Sequence, residues 1–262
     1  MRASIFAVTA AFALTLGACS TVERDTPASN VAARTAIATA VAAPERSADA
    51  RKLDDSRKPV EILAWLGLRP GMDAADLISG TGYWGEIMAR AVGPEGSVVA
   101  LEPEEFYNDD KSKAAWVELL ARTPGLTLTR YPFKTFSYAA NSFDFAIINL
   151  SYHDLYWESE QYKIPRTDPD AYLRGLYAAM RPGAVVGVID HTGKGSDTRA
   201  LVDKLHRIDP AVVRADFQRA GFKLEAESDL LANPEDDLGK LVFDPAIRGK
   251  TDRFLMKFVK PG

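Results

Sequence analysis

The sequence predicts an α/β fold, in which helices cover both faces of a doubly wound, mostly parallel sheet. Short apolar runs alternate along the chain with segments whose apolar residues recur at helical spacing. The apolar runs are continuous, as in strands buried on both faces, and glycine and proline turns separate them. The chain has 262 residues, of which 47% are hydrophobic, so it has room for one such domain.

The first half of the domain is predicted from four strands and the helices between them. Pro59 favours the start of a helix that continues through VEILAWLGL and ends near Gly67. Strands are predicted where the apolar runs are short, and helices where the apolar residues recur at helical spacing. The strands are 73–78, 97–103, 126–132 and 142–150, and the helices are 86–92 and 104–121.

The second half continues the alternation and ends differently. Residues 168–180 predict a helix, 184–190 a buried strand, and 197–220 a helical stretch with a break near Pro210. Residues 222–231 and 253–259 then predict a closing pair of strands.

The N-terminal region predicts export. Residues 1–18 have the charge, apolar core and small residues of a signal peptide, and LGAC at 16–19 resembles a bacterial lipobox. We therefore expect lipid attachment at Cys19, on the periplasmic side, with the outer membrane favoured over the inner. The alternative is an ordinary signal cleaved near Ala18. Residues 19–50, rich in Ala, Thr, Ser and Pro, predict a flexible tether before a domain over 51–262.

The overall charge argues against one class of partner. The formal net charge is −4, and the Lys and Arg residues are scattered among acidic residues. We expect no binding of nucleic acid, because such proteins concentrate positive charge on one face. Cys19 is the only cysteine, so no intramolecular disulfide is expected.

The sequence DLISGTGYWGE at 76–86 predicts a ligand-binding turn at the end of the first strand. Gly80, Gly82 and Gly85 satisfy the dinucleotide pattern G-x-G-x-x-G, and Glu102 ends the next strand, where it can accept hydrogen bonds from ribose hydroxyls. A dinucleotide-binding strand, however, normally has an apolar residue where this chain has Asp76.

The same segment resembles the first motif of class I S-adenosylmethionine-dependent methyltransferases, and Glu102 matches the acid after their second strand. The strands NSFDFAIINL and RPGAVVGVID and the closing pair resemble their later strands. Segments such as YHDLYW and IDHTG resemble a group of predicted exported bacterial methyltransferases. The resemblance implies a Rossmann-like methyltransferase fold, with a seven-stranded sheet and a C-terminal antiparallel hairpin. This chain departs from the family at Ile78, where a glycine is common, and in YPFK after the third strand, which lacks an acid.

The resemblance also implies S-adenosylmethionine as the cofactor. The residues expected to bind it are Asp76, Ser79, Gly80, Thr81, Gly82, Tyr83, Trp84, Glu102 and Asn149. Tyr83 and Trp84 can wall the adenosine or face the sulfonium, and core packing is the alternative role for both. The charged run 54–58 is interpreted either as a helix cap or as a segment that closes over the cofactor.

Two of the three histidines are predicted at the functional edge of the sheet. His153 follows the fourth strand and His191 ends the fifth, whereas His206 is predicted within a helix. His153 or His191 can act as general base, with Tyr152 and Asp154 orienting the base or the acceptor. The alternatives are structural hydrogen bonding, or a metal set of His153, Asp154, Asp190 and His191. We assign no metal from the sequence.

The leading functional prediction is methyl transfer from S-adenosylmethionine to a small molecule or an envelope component. A binding lipoprotein that keeps the fold without the reaction is the second hypothesis. A nicotinamide-dependent oxidoreductase is the third, and Asp76 disfavours it.

Overall fold

The computed structural model of the protein describes residues 26–106 and 109–262. The predicted signal peptide and Cys19 lie outside these residues. Within them, no helix is both long and apolar enough to cross a membrane.

The strands form one seven-stranded sheet in the order β3-β2-β1-β4-β5-β7-β6. The first five strands are parallel, and β7 is inserted antiparallel between β5 and β6. This confirms the predicted fold class. The strands are β1 (Asp73–Leu77), β2 (Ser97–Pro103), β3 (Leu126–Tyr131), β4 (Phe143–Asn149), β5 (Met180–His191), β6 (Lys223–Ser228) and β7 (Arg253–Val259).

Helices connect the strands and cover both faces of the sheet. In the described residues they are α1 (Pro27–Val41), α2 (Ala48–Arg51), α3 (Asp54–Arg57), α4 (Pro59–Leu66), α5 (Tyr83–Val92), α6 (Asp110–Arg122), α7 (Pro169–Ala179), α8 (Thr198–Leu205) and α9 (Pro210–Arg219). Helices α4, α5 and α6 contribute to one apolar cluster, and α7 and α9 contribute to a second. Two short 3₁₀ turns span Phe133–Thr135 and His153–Tyr156.

The helix predicted over 104–121 begins later than expected. Asp109 caps α6 by accepting a hydrogen bond from the backbone of Ser112 at 2.9 Å. Glu104 is instead tied to the sheet, because its backbone donates to the carbonyl of Tyr131. The cap therefore overrides the weaker helical preference of the residues before it.

The prediction of a flexible tether over 19–50 is wrong for the part that the structure describes. Helix α1 begins with a capping box between Thr26 and Ser29, and it packs on α4 and α5. Ala33, Ile37 and Ala40 are buried in this contact. The alanines that suggested a linker are strong helix formers, and their small side chains allow close approach of the helices. The domain therefore includes residues before 51.

We expect Ile37→Ala to lower the free energy of unfolding by about 2–4 kcal/mol, as for other large-to-small changes in a core. Ile37 is 1% exposed. The matched control is Val31→Ala on the same helix, because Val31 is 66% exposed and should cost about 0.5 kcal/mol or less. Denaturant unfolding measures both variants. Equal and small effects would show that α1 contributes no core packing.

Candidate functional site

A cavity of about 880 Å³ opens at the carboxyl ends of the parallel strands. It lies beside β1 and β4, where the strand order reverses, which is the usual ligand position in open α/β sheets. Its size is within the range of small-molecule sites. One end is lined by the glycine turn after β1, and the other by the loops after β4, β5 and α8.

The turn after β1 uses left-handed backbone at alternate positions. Gly80 and Gly82 have φ of 58° and 72°, a conformation that glycine adopts without steric cost. Ile78 also has a positive φ, of 49°, although a β-branched residue there is a steric outlier. The turn thus keeps a glycine-like backbone at Ile78, the position where this chain departs from the methyltransferase pattern.

Two buried carboxyl groups lie beneath the turn. Asp76 accepts a hydrogen bond of 2.8 Å from the backbone of Gly85. Glu102 is 0% exposed, and its Oε2 accepts hydrogen bonds from the Gly80 backbone at 2.8 Å and from the Ser79 hydroxyl at 3.2 Å. Its Oε1 is buried without a hydrogen-bond partner among the described residues.

Burial dominates the ionisation of both groups. Burial raises the pKa of Asp76 to about 8, although the hydrogen bond from the Gly85 backbone favours the ionised form. It also raises the pKa of Glu102 to about 8, although the hydrogen bonds from Gly80 and Ser79 favour the ionised form. Both carboxyls line the cavity, so a ligand that donates hydrogen bonds there would favour their charged state.

Two arginines line the cavity near these acids. The guanidinium of Arg57 lies 4.4 Å from the ring centroid of Tyr83 and makes no hydrogen bond within the described part of the chain. Arg253 donates to the carbonyl of Ser56 at 2.8 Å, whereas its Nε is buried without a partner among residues 26–106 and 109–262. Burial lowers the pKa of both arginines. Their free N–H groups suit an anionic ligand group.

Seven of the nine predicted cofactor residues line the cavity: Asp76, Ser79, Gly80, Thr81, Trp84, Glu102 and Asn149. Two do not. A Cβ at Gly82 would contact Leu119 and approach the Trp116 ring to 2.8 Å, so Gly82 serves the packing of α6 against the turn. Tyr83 is buried, and its hydroxyl donates to Asp54 at 2.6 Å.

His153 is held by several polar contacts at the other end of the cavity. Its Nδ1 lies 2.8 Å from Asp190 Oδ1, and its backbone donates to Asp190 Oδ2 at 2.8 Å. Its Nε2 lies 3.5 Å from Asp154 Oδ1. Burial would lower the pKa of His153, but the charges of Asp190 and Asp154 outweigh it and raise this pKa to about 9.

The other predicted residues divide between the cavity and the core. His191 lines the cavity, and its Nδ1 lies 2.7 Å from the Thr251 hydroxyl. Burial lowers the pKa of His191 to about 3, so its ring is neutral. Tyr152 does not line the cavity. Its hydroxyl donates to Asp216 at 2.7 Å beneath α9, which corrects its predicted role beside the base.

Sequence reasoning missed several residues at this end. His206 lines the cavity because α8 ends at Leu205 and the chain then turns back, with φ of 49° at His206. Pro210 was the residue that indicated a break in the helical stretch predicted over 197–220. Trp157, Tyr162 and Phe243 form an aromatic wall near His206, and Tyr162 and Phe243 are 60% and 52% exposed.

Comparison with known proteins agrees with this geometry. The protein-L-isoaspartate (D-aspartate) O-methyltransferase family matches residues 58–114, which include the glycine turn and Glu102. No curated protein matches the sequence.

Solved structures match over most of the chain. A SAM-dependent methyltransferase from Aquifex aeolicus has 19% identity and a TM-score of 0.56, covering 81% of this chain and 97% of its own. One from Mesorhizobium loti has 17% identity and a TM-score of 0.55, with coverages of 79% and 99%. The [4+2]-cyclase SpnF has 16% identity and a TM-score of 0.52, with coverages of 88% and 94%. The chain therefore has the fold of the S-adenosylmethionine-dependent methyltransferases, a fold that the SpnF cyclase shares.

Proposed function

We propose that this protein binds S-adenosylmethionine at the glycine-turn end of the cavity and transfers its methyl group to a small molecule or an envelope component. The observation that carries the proposal is the carboxyl of Glu102. One oxygen is fixed by the turn, and the other is a buried acceptor without a partner in the described chain. A buried acceptor of this kind is costly unless a ligand donor reaches it.

The remaining groups at this end also fit the cofactor. Glu102 Oε1 would accept from the ribose hydroxyls, and Trp84 would contact the adenosine. The free donors of Arg57 would hold the carboxylate of the methionine part. When bound, the cofactor supplies a methyl group activated by the sulfonium. No dinucleotide phosphate is needed to explain these contacts.

The other end of the cavity suits an acceptor with an apolar body. Trp157, Tyr162 and Phe243 provide aromatic surface, and His153 lies deeper, fixed by Asp190. We place the reacting atom of the acceptor towards His153, where polar groups converge. Fold alone does not decide the reaction, as the SpnF cyclase illustrates. Binding must therefore be measured before turnover.

We expect Glu102→Gln to weaken binding of S-adenosylmethionine by about 1–3 kcal/mol, which is about a 5- to 150-fold loss of affinity. A glutamine has one acceptor and one donor at its end. If its oxygen faces Gly80 and Ser79, its amide faces the ribose. If the amide is rotated the other way, its NH₂ group faces the Gly80 N–H and the Ser79 hydroxyl, so donors face donors at the turn. Calorimetric titration of wild type and variant measures the loss.

The same titrations have a pH dependence that identifies the group. The pKa of Glu102 is raised to about 8, so the free site holds a proton at pH 7. Ribose donors favour the ionised form, so binding releases the proton and affinity rises as pH increases towards 8. Glu102→Gln should remove the part of that slope that Glu102 contributes and leave at most the part due to Asp76, whereas a control change at exposed Glu104, Glu104→Gln, should keep the whole slope. The ligand's own ionisation is common to all three proteins.

Three outcomes would contradict the proposal or part of it. Affinity for NAD without affinity for S-adenosylmethionine would favour an oxidoreductase. Binding that Glu102→Gln leaves unchanged would move the cofactor elsewhere. Normal binding without methyl transfer to any acceptor would favour the binding-protein alternative.

A further inference from the structure

Three potential metal ligands meet at the acceptor end of the cavity. His153 and Asp154 belong to the 3₁₀ turn after β4, and His206 follows α8. One ligand atom from each lies within 4.8 Å of the other two. Ligand atoms bound to one transition-metal ion at about 2.1 Å would lie about 3–3.5 Å apart, so small side-chain movements would close the site.

His153 presents the correct nitrogen to this cluster. Asp190 is a carboxylate that accepts from the His153 backbone, and it lies 2.8 Å from Nδ1. Nδ1 therefore keeps its hydrogen, and Nε2 is the nitrogen that would release its proton and bind the ion. Metal-binding histidines usually donate their other N–H to a carboxylate in this way, which fixes the ring and its tautomer.

His206 completes the cluster from a different part of the chain. Its ring makes no hydrogen bond to any described residue, and it lies 5.4 Å from the His153 ring, centroid to centroid, at 86°. Trp157 and Phe243 pack against it at 5.0 Å and 5.1 Å. The aromatic contacts hold the ring without using its nitrogens.

We propose that His153 Nε2, Asp154 and His206 bind one divalent first-row transition-metal ion, of the zinc or iron class. Two imidazoles and one carboxylate suit such ions, whereas Mg²⁺ and Ca²⁺ prefer oxygen ligands alone. Three protein ligands leave coordination positions open towards the cavity, where an acceptor oxygen or nitrogen would bind.

This set differs from the one considered from sequence. Among the described residues, the ligand atoms that meet in the cluster come from His153, Asp154 and His206 and not from His191. Both carboxylate oxygens of Asp190 are bonded to His153, so Asp190 is a supporting partner of the cluster. The inference rests on the side chains of the cluster and does not depend on methyl transfer.

The test is metal titration of the chelator-treated protein, without S-adenosylmethionine. Zn²⁺ should bind at one ion per chain and raise the midpoint of thermal unfolding. Co²⁺ should give visible absorption typical of nitrogen and oxygen ligands at low coordination number. His206→Asn and His153→Asn should each weaken Zn²⁺ binding at least about 10-fold, because each removes a direct ligand, a larger change than the loss of an outer partner.

His191→Asn is the matched control, since it alters a neighbouring histidine of the same cavity and should leave Zn²⁺ affinity unchanged. Circular dichroism confirms that each variant is folded. His206 is only partly buried, so its variant should fold even if the His153 variant does not. The proposal is overturned if wild type shows no saturable binding. It is also overturned if binding survives in His206→Asn, or is lost equally in His191→Asn.

Discussion

Replacing Arg207 with alanine should lower the free energy of unfolding by about 3–5 kcal/mol, the usual cost of removing one partner from a buried ion pair. The side chains of Arg207 and Asp236 are 0% and 1% exposed, and two hydrogen bonds of 2.9 Å and 3.0 Å join them. Arg207 also donates to the carbonyls of Thr192 and Lys240. Alanine would leave the carboxylate and both carbonyls without this donor.

The loss should extend to the acceptor end of the cavity. Asp236 also accepts from the backbones of Leu238 and Asp252, so the pair fixes the segment between β6 and β7. Val242 and Arg248 in that segment line the cavity. Hydrogen exchange in residues 236–252 of Arg207→Ala should therefore increase more than exchange in β1 or β4.

Two further variants separate charge from geometry. Arg207→Lys keeps the charge but loses the bidentate contact, so its cost should be intermediate. Arg214→Ala breaks the ion pair between Arg214 and Glu227, whose side chains are 37% and 40% exposed. This change should lower the free energy of unfolding by about 1 kcal/mol or less. If Arg207→Ala and Arg214→Ala lower the free energy of unfolding equally, the buried pair does not fix the segment between β6 and β7.

The strands were predictable because burial on both faces leaves a continuous apolar run. The run at 143–149 is an example, since β4 lies in the middle of the sheet and five of its seven residues are buried. Helix α1 was not predictable in the same way. Its alanines are compatible with a linker or a helix, and the packing of Ile37 on the domain is a tertiary contact.

The cofactor end of the site was largely predictable because its residues are close in sequence. Gly80 and Glu102 end adjacent parallel strands, so the topology brings them together. The direction in which each side chain points was harder to predict. Successive residues of a helix or tight turn face different sides, so Trp84 and His153 line the cavity while Tyr83 and Tyr152 face the core. The position of His206 beside the cavity could not be predicted without knowing how the chain turns after α8.

Replacing Asp190 with alanine should also lower the free energy of unfolding by about 3–5 kcal/mol. Asp190 is 0% exposed and accepts from the His153 ring, the His153 backbone and the His191 backbone at 2.8, 2.8 and 2.7 Å. The His153 charge holds the pKa of Asp190 below its usual range despite burial. Alanine would leave three buried donors unpaired.

Asp190→Asn distinguishes the loss of charge from the loss of volume. Asparagine fills the space, but its amide must face either the His153 backbone or the donors at Oδ1. It should therefore cost less than alanine while still disturbing the ring. Asp144→Ala is the control for removing a carboxylate that is 34% exposed and paired with Arg181, and should cost about 1 kcal/mol or less.

A double-mutant cycle with His153→Ala decides whether the pair acts as a unit. Each single change leaves a buried partner uncompensated, whereas the double change removes both. The cost of His153→Ala with Asp190→Ala should therefore be smaller than the sum of the single costs, by about 0.5–3 kcal/mol. Urea unfolding of the four proteins gives this coupling energy. Additive costs would mean that Asp190 stabilises the loop through the backbone of His153 and His191 alone, and the ring of His153 would then not be held in place by its carboxylate.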